Sequence, residues 1–403
     1  MALAVALAFP TEFSLNLGGL RLSPYRIVLI ACFFPAIAKL FAPRMGGRIA
    51  TDWLFLGFAG WAVVSLAANH GVGTAIESGG ILFVETFGSY LVGRTAIRGI
   101  EDYRALVMRL ILVAAIVLAV SLPETLTGTR FVHQFAGSLF GGAPNIHVEP
   151  RYGLHRAFGP FDHPILAGVF GSTLVALAWS CRRRPTEALA GRVKRTLIAF
   201  GAGMTSLSSA AILAMALQGA LFVWRRLTAA VEARWRILWA ILLAFYTAVS
   251  MLSDRSGLQA LMWYLCFDRQ TASYRLLIWE HGAVNVGANK WFGLGQNDWV
   301  RPEWMSNSVD SFWLLTTMTY GLPATTFLAL ALIAAMRRAG NAVRGDDEGA
   351  QLRRGWIFAY IALAFCGFTV HYWNNVFTMI GLLLGAAGWM GNPDRAPVRA
   401  TRA

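Results

Sequence analysis

The feature that most constrains this chain is a succession of apolar blocks, too long and too weakly charged to form the core of a soluble domain. Residues 25–41, 51–68, 77–97, 105–122, 164–181, 237–252, 310–336, 355–371 and 374–390 each read this way. A helix needs about 20 apolar residues to cross about 30 Å of hydrocarbon. In a bilayer only helices and closed barrels satisfy every backbone N–H and C=O. Hydrophobic residues make up 56% of the chain and charged residues 14%, where a soluble chain would carry about 25% charged. The predicted fold is therefore all-α: a polytopic integral membrane protein of about 11–12 transmembrane helices. The segment at 1–10 is apolar but too short to span, and fits a half-span, a packed helix or the remnant of a longer start. It lacks the basic start and small-residue cleavage site of a signal peptide.

The net charge of +14 could suggest nucleic acid, but the basic residues fall in short loops between blocks, as the positive-inside rule requires. With the two longest polar loops, 123–163 and 253–309, placed outside, 25 of the 35 Lys and Arg lie inside and the remaining 10 outside. That asymmetry orients the chain and predicts no nucleic-acid partner. It also leaves residues 196–224 with both ends inside, although about 20 residues are needed per crossing. We expect a hairpin of short helices with a small, hydroxylated tip (Gly201, Gly203, Ser206, Ser208, Ser209) below the outer surface, under an open aqueous cavity. The same residues also suit an ordinary small-residue helix contact. The four cysteines show no CxxC spacing, and the histidines of the first loop (His133, His147, His155, His163) match no metal-ligand pattern. No metal or cofactor is expected, and those histidines read as solvated loop residues or ligand hydrogen-bonding groups.

Chemistry concentrates in and just after the second long loop, with Arg255, Arg269, Arg275, Glu280, Glu303 and Asp310 among many tryptophans. Arg275 could bind an anion, snorkel, or pair with Glu280. Asp310, just before an apolar run, could be a base or a helix N-cap. Arg156 could bind an anion or pair with Asp162. Gly293 and Gly295 read as turn residues, and Trp291, Trp299, Trp304 and Trp313 as interfacial anchors or sugar-stacking faces.

Four motifs carry a resemblance. They are Arg156-Ala-Phe-Gly-Pro-Phe-Asp-His-Pro-Ile-Leu-Ala-Gly, Ser206-Leu-Ser-Ser-Ala at the hairpin tip, and Tyr274-Arg275 with Trp279 followed by Trp291-Phe-Gly-Leu-Gly. The fourth is Val309-Asp310-Ser-Phe-Trp-Leu with Tyr320-Gly-Leu. Their order and placement, from about residue 25 to 390, resemble the O-antigen ligase and polymerase superfamily. Ser208-Ser209 stands where many ligases have Ser-Arg, and Asp310 where they keep histidine, so the chain is more similar to the exopolysaccharide-polymerase branch. One phosphate-binding arginine of the ligases then has no counterpart.

The resemblance implies glycan transfer at the periplasmic face of a bacterial inner membrane. Donor and acceptor would be polyprenyl-pyrophosphate-linked oligosaccharides, in a lipid bilayer and with a chain-length regulator as a possible partner. It implies Asp310 and Arg275 as catalytic residues, and Arg156, Arg255, His163, Ser208, Ser209 and Trp279 as substrate-binding ones. Pyrophosphate leaves readily, so such a site needs a cationic clamp, which arginine's planar fork suits. It also needs one group to orient a hydroxyl, and a single group fits inversion better than a two-carboxylate retaining mechanism. The absence of a DxD motif agrees with a lipid-linked donor. A ligase acting on another acceptor is the alternative enzyme. A lipid-linked sugar flippase is the alternative of another class, but the acids within blocks are few (Glu77 and Glu85).

Overall fold

A computed structural model describes residues 2–17, 20–43, 47–141, 146–184, 186–252, 269–343 and 345–391. The described chain is mostly helical, with one small hairpin of strands, β1 (Leu15–Leu17) and β2 (Leu20–Leu22). The helices are α1 (Ala2–Ala6), α2 (Pro24–Phe41), α3 (Ala50–Ala96), α4 (Ile100–Thr127), α5 (Phe131–Phe140), α6 (Pro164–Ser180) and α7 (Leu189–Met204). They continue with α8 (Ser209–Leu227), α9 (Arg234–Leu252), α10 (Arg269–Ala288), α11 (Phe312–Asn341), α12 (Glu348–Cys366) and α13 (Asn374–Ala386). Five of these, α2, α3, α4, α8 and α11, are long and apolar enough to cross a membrane, and α6 is a shorter apolar helix. The protein is an all-α protein of membrane character.

The boundaries show where sequence periodicity misleads. The blocks at 51–68 and 77–97 form one run, α3, broken where Gly71 takes a left-handed φ of 82°. Helix α11 breaks in the same way at Gly321, also at φ 82°. The segment with Gly293 (φ 61°) and Gly295 (φ 63°) threads between the two breaks. Its Leu294 and Gly295 amides donate to the carbonyls of Met318 and Thr319, and Ser65 and Asn69 of α3 donate to the Phe292 carbonyl. The Trp291-Phe-Gly-Leu-Gly motif thus clamps two kinked helices together. A Cβ at Gly321 would lie 2.0 Å from the Trp291 carbonyl oxygen.

Two pairs of buried charges tie the first helices together, as desolvation demands. Arg26 and Tyr25 donate to Glu85 at 2.6 and 2.7 Å, which accounts for one of the two intrablock acids. Arg94 and Tyr90 donate to Asp52. The N-terminal segment is a packed helix: Leu3 and Leu7 are buried, and Asn375 donates to the carbonyls of Leu7 and Phe9.

The bundle has two poles. At one, the end of α4, the start of α6, the turn between α7 and α8, and the start of α11 come together. At the other, Arg104 at the start of α4 pairs with Glu348 at the start of α12, and Arg225 at the end of α8 pairs with Asp346.

Candidate functional site: an arginine cluster at the hairpin tip

Two helices joined by a tight turn are present as α7 and α8, 16 and 19 residues long, or about 24 and 28 Å at 1.5 Å per residue. They run beyond the expected 196–224, and α8 is not short but long and apolar enough to cross a membrane. Small residues let the pair lie against α6. A Cβ at Gly171 would sit 2.2 Å from the Gly203 nitrogen, and one at Gly168 would sit 2.5 Å from Ser206 Oγ. The small-residue contact and the special tip therefore coexist. The tip turns at Leu207, whose φ of 47° is left-handed, while Ser206 Oγ accepts from the Ser208 amide and donates to the Gly203 carbonyl.

The tip is not open to solvent as the sequence suggested. Thr205, Ser206 and Ser208 are buried, covered by the first loop. The Ala157 amide donates to the Thr205 carbonyl at 3.0 Å. Arg156 Nε donates to the Ser206 carbonyl at 3.2 Å, and Arg151 Nη1 donates to the Leu207 carbonyl at 2.9 Å and to Ser209 Oγ at 3.3 Å. The first loop is itself more structured than expected. It contains α5 and is pinned from below by Glu124, whose carboxylate accepts from the Phe158 and Gly159 amides.

This arrangement gathers charge around Arg156. Burial first, then the like charges of Arg151 and Arg275, lower its pKa to about 10, and Asp310 opposes them. Arg156, Arg275 and Asp310, far apart in sequence, thus share one electrostatic neighbourhood, together with Arg151. Sequence reasoning missed Arg151, which donates to the tip at the Leu207 carbonyl and Ser209 Oγ. The sequence signal available was the Tyr152-Gly153 pair after it, which forms a tight turn with φ 54° and 75°. The alternative pairing of Arg156 with Asp162 does not form. The Asp162 carboxylate accepts from Thr11 at 2.5 Å and from Asn374 at 2.6 Å.

Asp310 is half-buried, and its carboxylate accepts from Ser308 Oγ at 3.1 Å. It is not the cap of α11. That role belongs to Ser311, whose Oγ accepts from the Leu314 amide and donates to the Gly367 carbonyl. Arg275 is buried on α10 rather than snorkelling at a surface, with 8% exposure. Arg255 lies outside the described residues.

His163 caps α6, its Nδ1 accepting from the Ile165 amide at 3.2 Å. The neutral ring then carries its proton on Nε2 and offers a donor, not a base. Burial, reinforced by Arg156 and Arg130, lowers its pKa to about 4. Its ring stands 6.0 Å from both Phe158 and Trp373, and Trp373 stacks on His371 at 5.5 Å. Arg130 lies over Phe158 at 3.8 Å. These rings flank the cationic cluster, Phe158 fully buried and His163, His371 and Trp373 half-buried.

Other residues singled out in the sequence make structural contacts. Trp279 donates to the Phe368 carbonyl and stacks on that ring at 6.0 Å, joining α10 to the turn after α12. Trp299 and Trp313 are packing residues with satisfied indole N–H groups, whereas Trp304 is exposed. His133 is buried between the Glu12 carboxylate (2.7 Å) and the Phe161 carbonyl (3.0 Å), so it is a structural tie rather than a solvated loop histidine. Glu12 sits below its ordinary pKa, because the bond and charge of His133 outweigh the larger single effect of burial.

What the cluster can do follows from these groups. Three guanidinium groups can hold a polyanion, one carboxylate can take a proton, and the half-buried Ser209 hydroxyl and the His163 Nε2–H can orient oxygens. No protein-family model matches the chain, and no curated protein matches it by sequence.

Proposed function

We propose that this protein is a membrane glycosyltransferase that joins polyprenyl-pyrophosphate-linked oligosaccharide units into a longer chain. The single observation that carries the proposal is that Arg151 and Arg156 of the first loop hydrogen-bond to the hairpin tip, with Arg275 and Asp310 near enough for their charges to act on Arg156. A diphosphate leaving group needs that density of fork-shaped cations. An attacking hydroxyl needs one acceptor, and Asp310 is relieved of capping by Ser311. In the proposed step the acceptor hydroxyl oxygen attacks the anomeric carbon and the carbon–oxygen bond to the diphosphate breaks. The electron pair leaves with the polyprenyl diphosphate, and the hydroxyl proton passes to the Asp310 carboxylate. The arginines stabilise the growing charge on the departing oxygen.

The reading places the protein in a bacterial inner membrane with about 11–12 membrane helices, the arginine pole facing the periplasm and the basic pole the cytoplasm. The Lys and Arg asymmetry supports that orientation. The test is reconstitution of purified protein with lipid-linked repeat units. A ladder of longer lipid-linked chains is expected. Transfer only to an acceptor without a polyprenyl carrier would mark a ligase, and transport without a new linkage would mark a flippase.

A further inference from the structure

The opposite pole holds a cavity. It has a volume of about 580 Å³ and is framed by the ends of α8 and α11 and the starts of α9 and α12. Its polar wall carries Arg225, Arg226, Arg234 and Arg354 against a single lining carboxylate, Asp346. Asp346 already serves two of them. It pairs with Arg225, and accepts from Arg354 Nη2 at 2.6 Å. Four guanidinium groups and one carboxylate leave three net positive charges on the lining (4 − 1 = 3).

The other wall is apolar and aromatic, with Trp235, Trp239, Phe358 and Ile361. Trp235 packs edge-on to Phe358 at 5.7 Å. Trp239, one turn along α9, is 72% exposed, and Leu243 and Met251 beyond it are 66% and 80% exposed. An apolar helix exposed along its length suits hydrocarbon, so the cavity is continuous with the face where acyl chains would lie. Basic pockets between membrane helices are suited to phosphate headgroups. A soluble anion would gain from the arginines but nothing from the aromatic wall.

We infer that this cavity binds an anionic phospholipid, its phosphate among Arg225, Arg226, Arg234 and Arg354 and its first acyl carbons against Trp235 and Trp239. The site lies at the far ends of α8 and α11 from the arginine cluster at the tip. It makes no use of Asp310 or Arg275, and it stands whether or not the proposed glycan chemistry does.

The experiment uses the full-length protein, purified in detergent and stripped of lipid. It is then exposed in turn to phosphatidylglycerol, to phosphatidylcholine of the same chains, and to inorganic phosphate, with retained molecules counted by native mass spectrometry. One phosphatidylglycerol should be held in preference to phosphatidylcholine. Arg226→Gln should weaken that retention by about tenfold, the worth of one charged hydrogen bond. Asp346→Asn removes the lining's one carboxylate and should strengthen it, so that a variant that gains binding stands beside one that loses it. Equal retention of the two lipids overturns the inference. So does phosphatidylglycerol binding that neither substitution moves, or inorganic phosphate holding the site as well as the lipid does.

Discussion

Gly171→Ala is the perturbation whose effect the geometry fixes most tightly. The new Cβ would lie 2.2 Å from the Gly203 nitrogen, where ordinary contact begins at 3.4 Å, so α6 and α7 must part by roughly the difference (3.4 − 2.2 = 1.2 Å). The obstructing atoms are backbone, with Gly203 Cα at 2.6 Å and the Ala202 carbonyl carbon at 2.8 Å, so no side-chain rotation relieves them. Overpacking of this kind costs about 1–3 kcal/mol. The displacement reaches the tip directly, because Ser206 and Leu207 are the residues whose carbonyls hold Arg156 and Arg151. A shift of about 1 Å in a catalytic arrangement can cost about 10²-fold in rate. Two further glycines grade the effect. At Gly203 the nearest atoms stand at 3.1 and 3.2 Å, and at Gly60 nothing lies within 4 Å. Thermal unfolding in detergent and chain elongation in proteoliposomes should therefore rank Gly60→Ala above Gly203→Ala above Gly171→Ala. Equal melting and equal elongation in all three would refute the close packing of hairpin on α6 and the positioning argument with it.

Asp310→Asn should leave the melting temperature unchanged and lower the elongation rate by about 10²–10⁴, whereas Ser311→Ala should cost about 1 kcal/mol of stability through loss of the cap. Arg275→Lys and Arg156→Lys keep the charge but lose the fork, and each should slow elongation about tenfold or more, read at equal membrane abundance. His163 is held at about 4 in the folded protein, below its value of about 6.5 in an unfolded chain. Between those values the unfolded state binds more protons, so stability is fully present above about pH 6.5 and falls as pH drops toward 4. His163→Asn, which can still cap α6, should flatten that part of the pH profile of thermal unfolding. A profile unchanged from wild type would show that His163 does not titrate as its burial requires.

The membrane class and the hairpin were legible because apolar block length and the placement of Lys and Arg report directly on the bilayer. Arg156, Arg275 and Asp310 were legible as residues because polar chemistry is scarce in such a chain. Their meeting was not legible, since it depends on how the first loop folds over the tip, and nothing local to Arg156 says that its partner will be the Ser206 carbonyl. Arg151 was missed for the same reason. The cap at Ser311 could have been read from the serine immediately preceding the apolar run, had Asp310 not competed for the same role. The break at Gly71 escaped notice because a single left-handed glycine ends neither the apolar pattern nor the helix on either side. His133 looked like loop polarity because its partner, Glu12, lies 121 residues away.

The central claim is that the arginine cluster drives departure of a diphosphate as a glycosidic bond forms. Its most direct test is to count polyprenyl diphosphate released against linkages made by the purified protein, using defined lipid-linked repeat units. The account predicts one diphosphate per linkage, with both products lost together in Asp310→Asn and both slowed together in Arg156→Lys and Arg275→Lys. Linkages formed without matching diphosphate release, or folded wild-type protein that forms none, would contradict it.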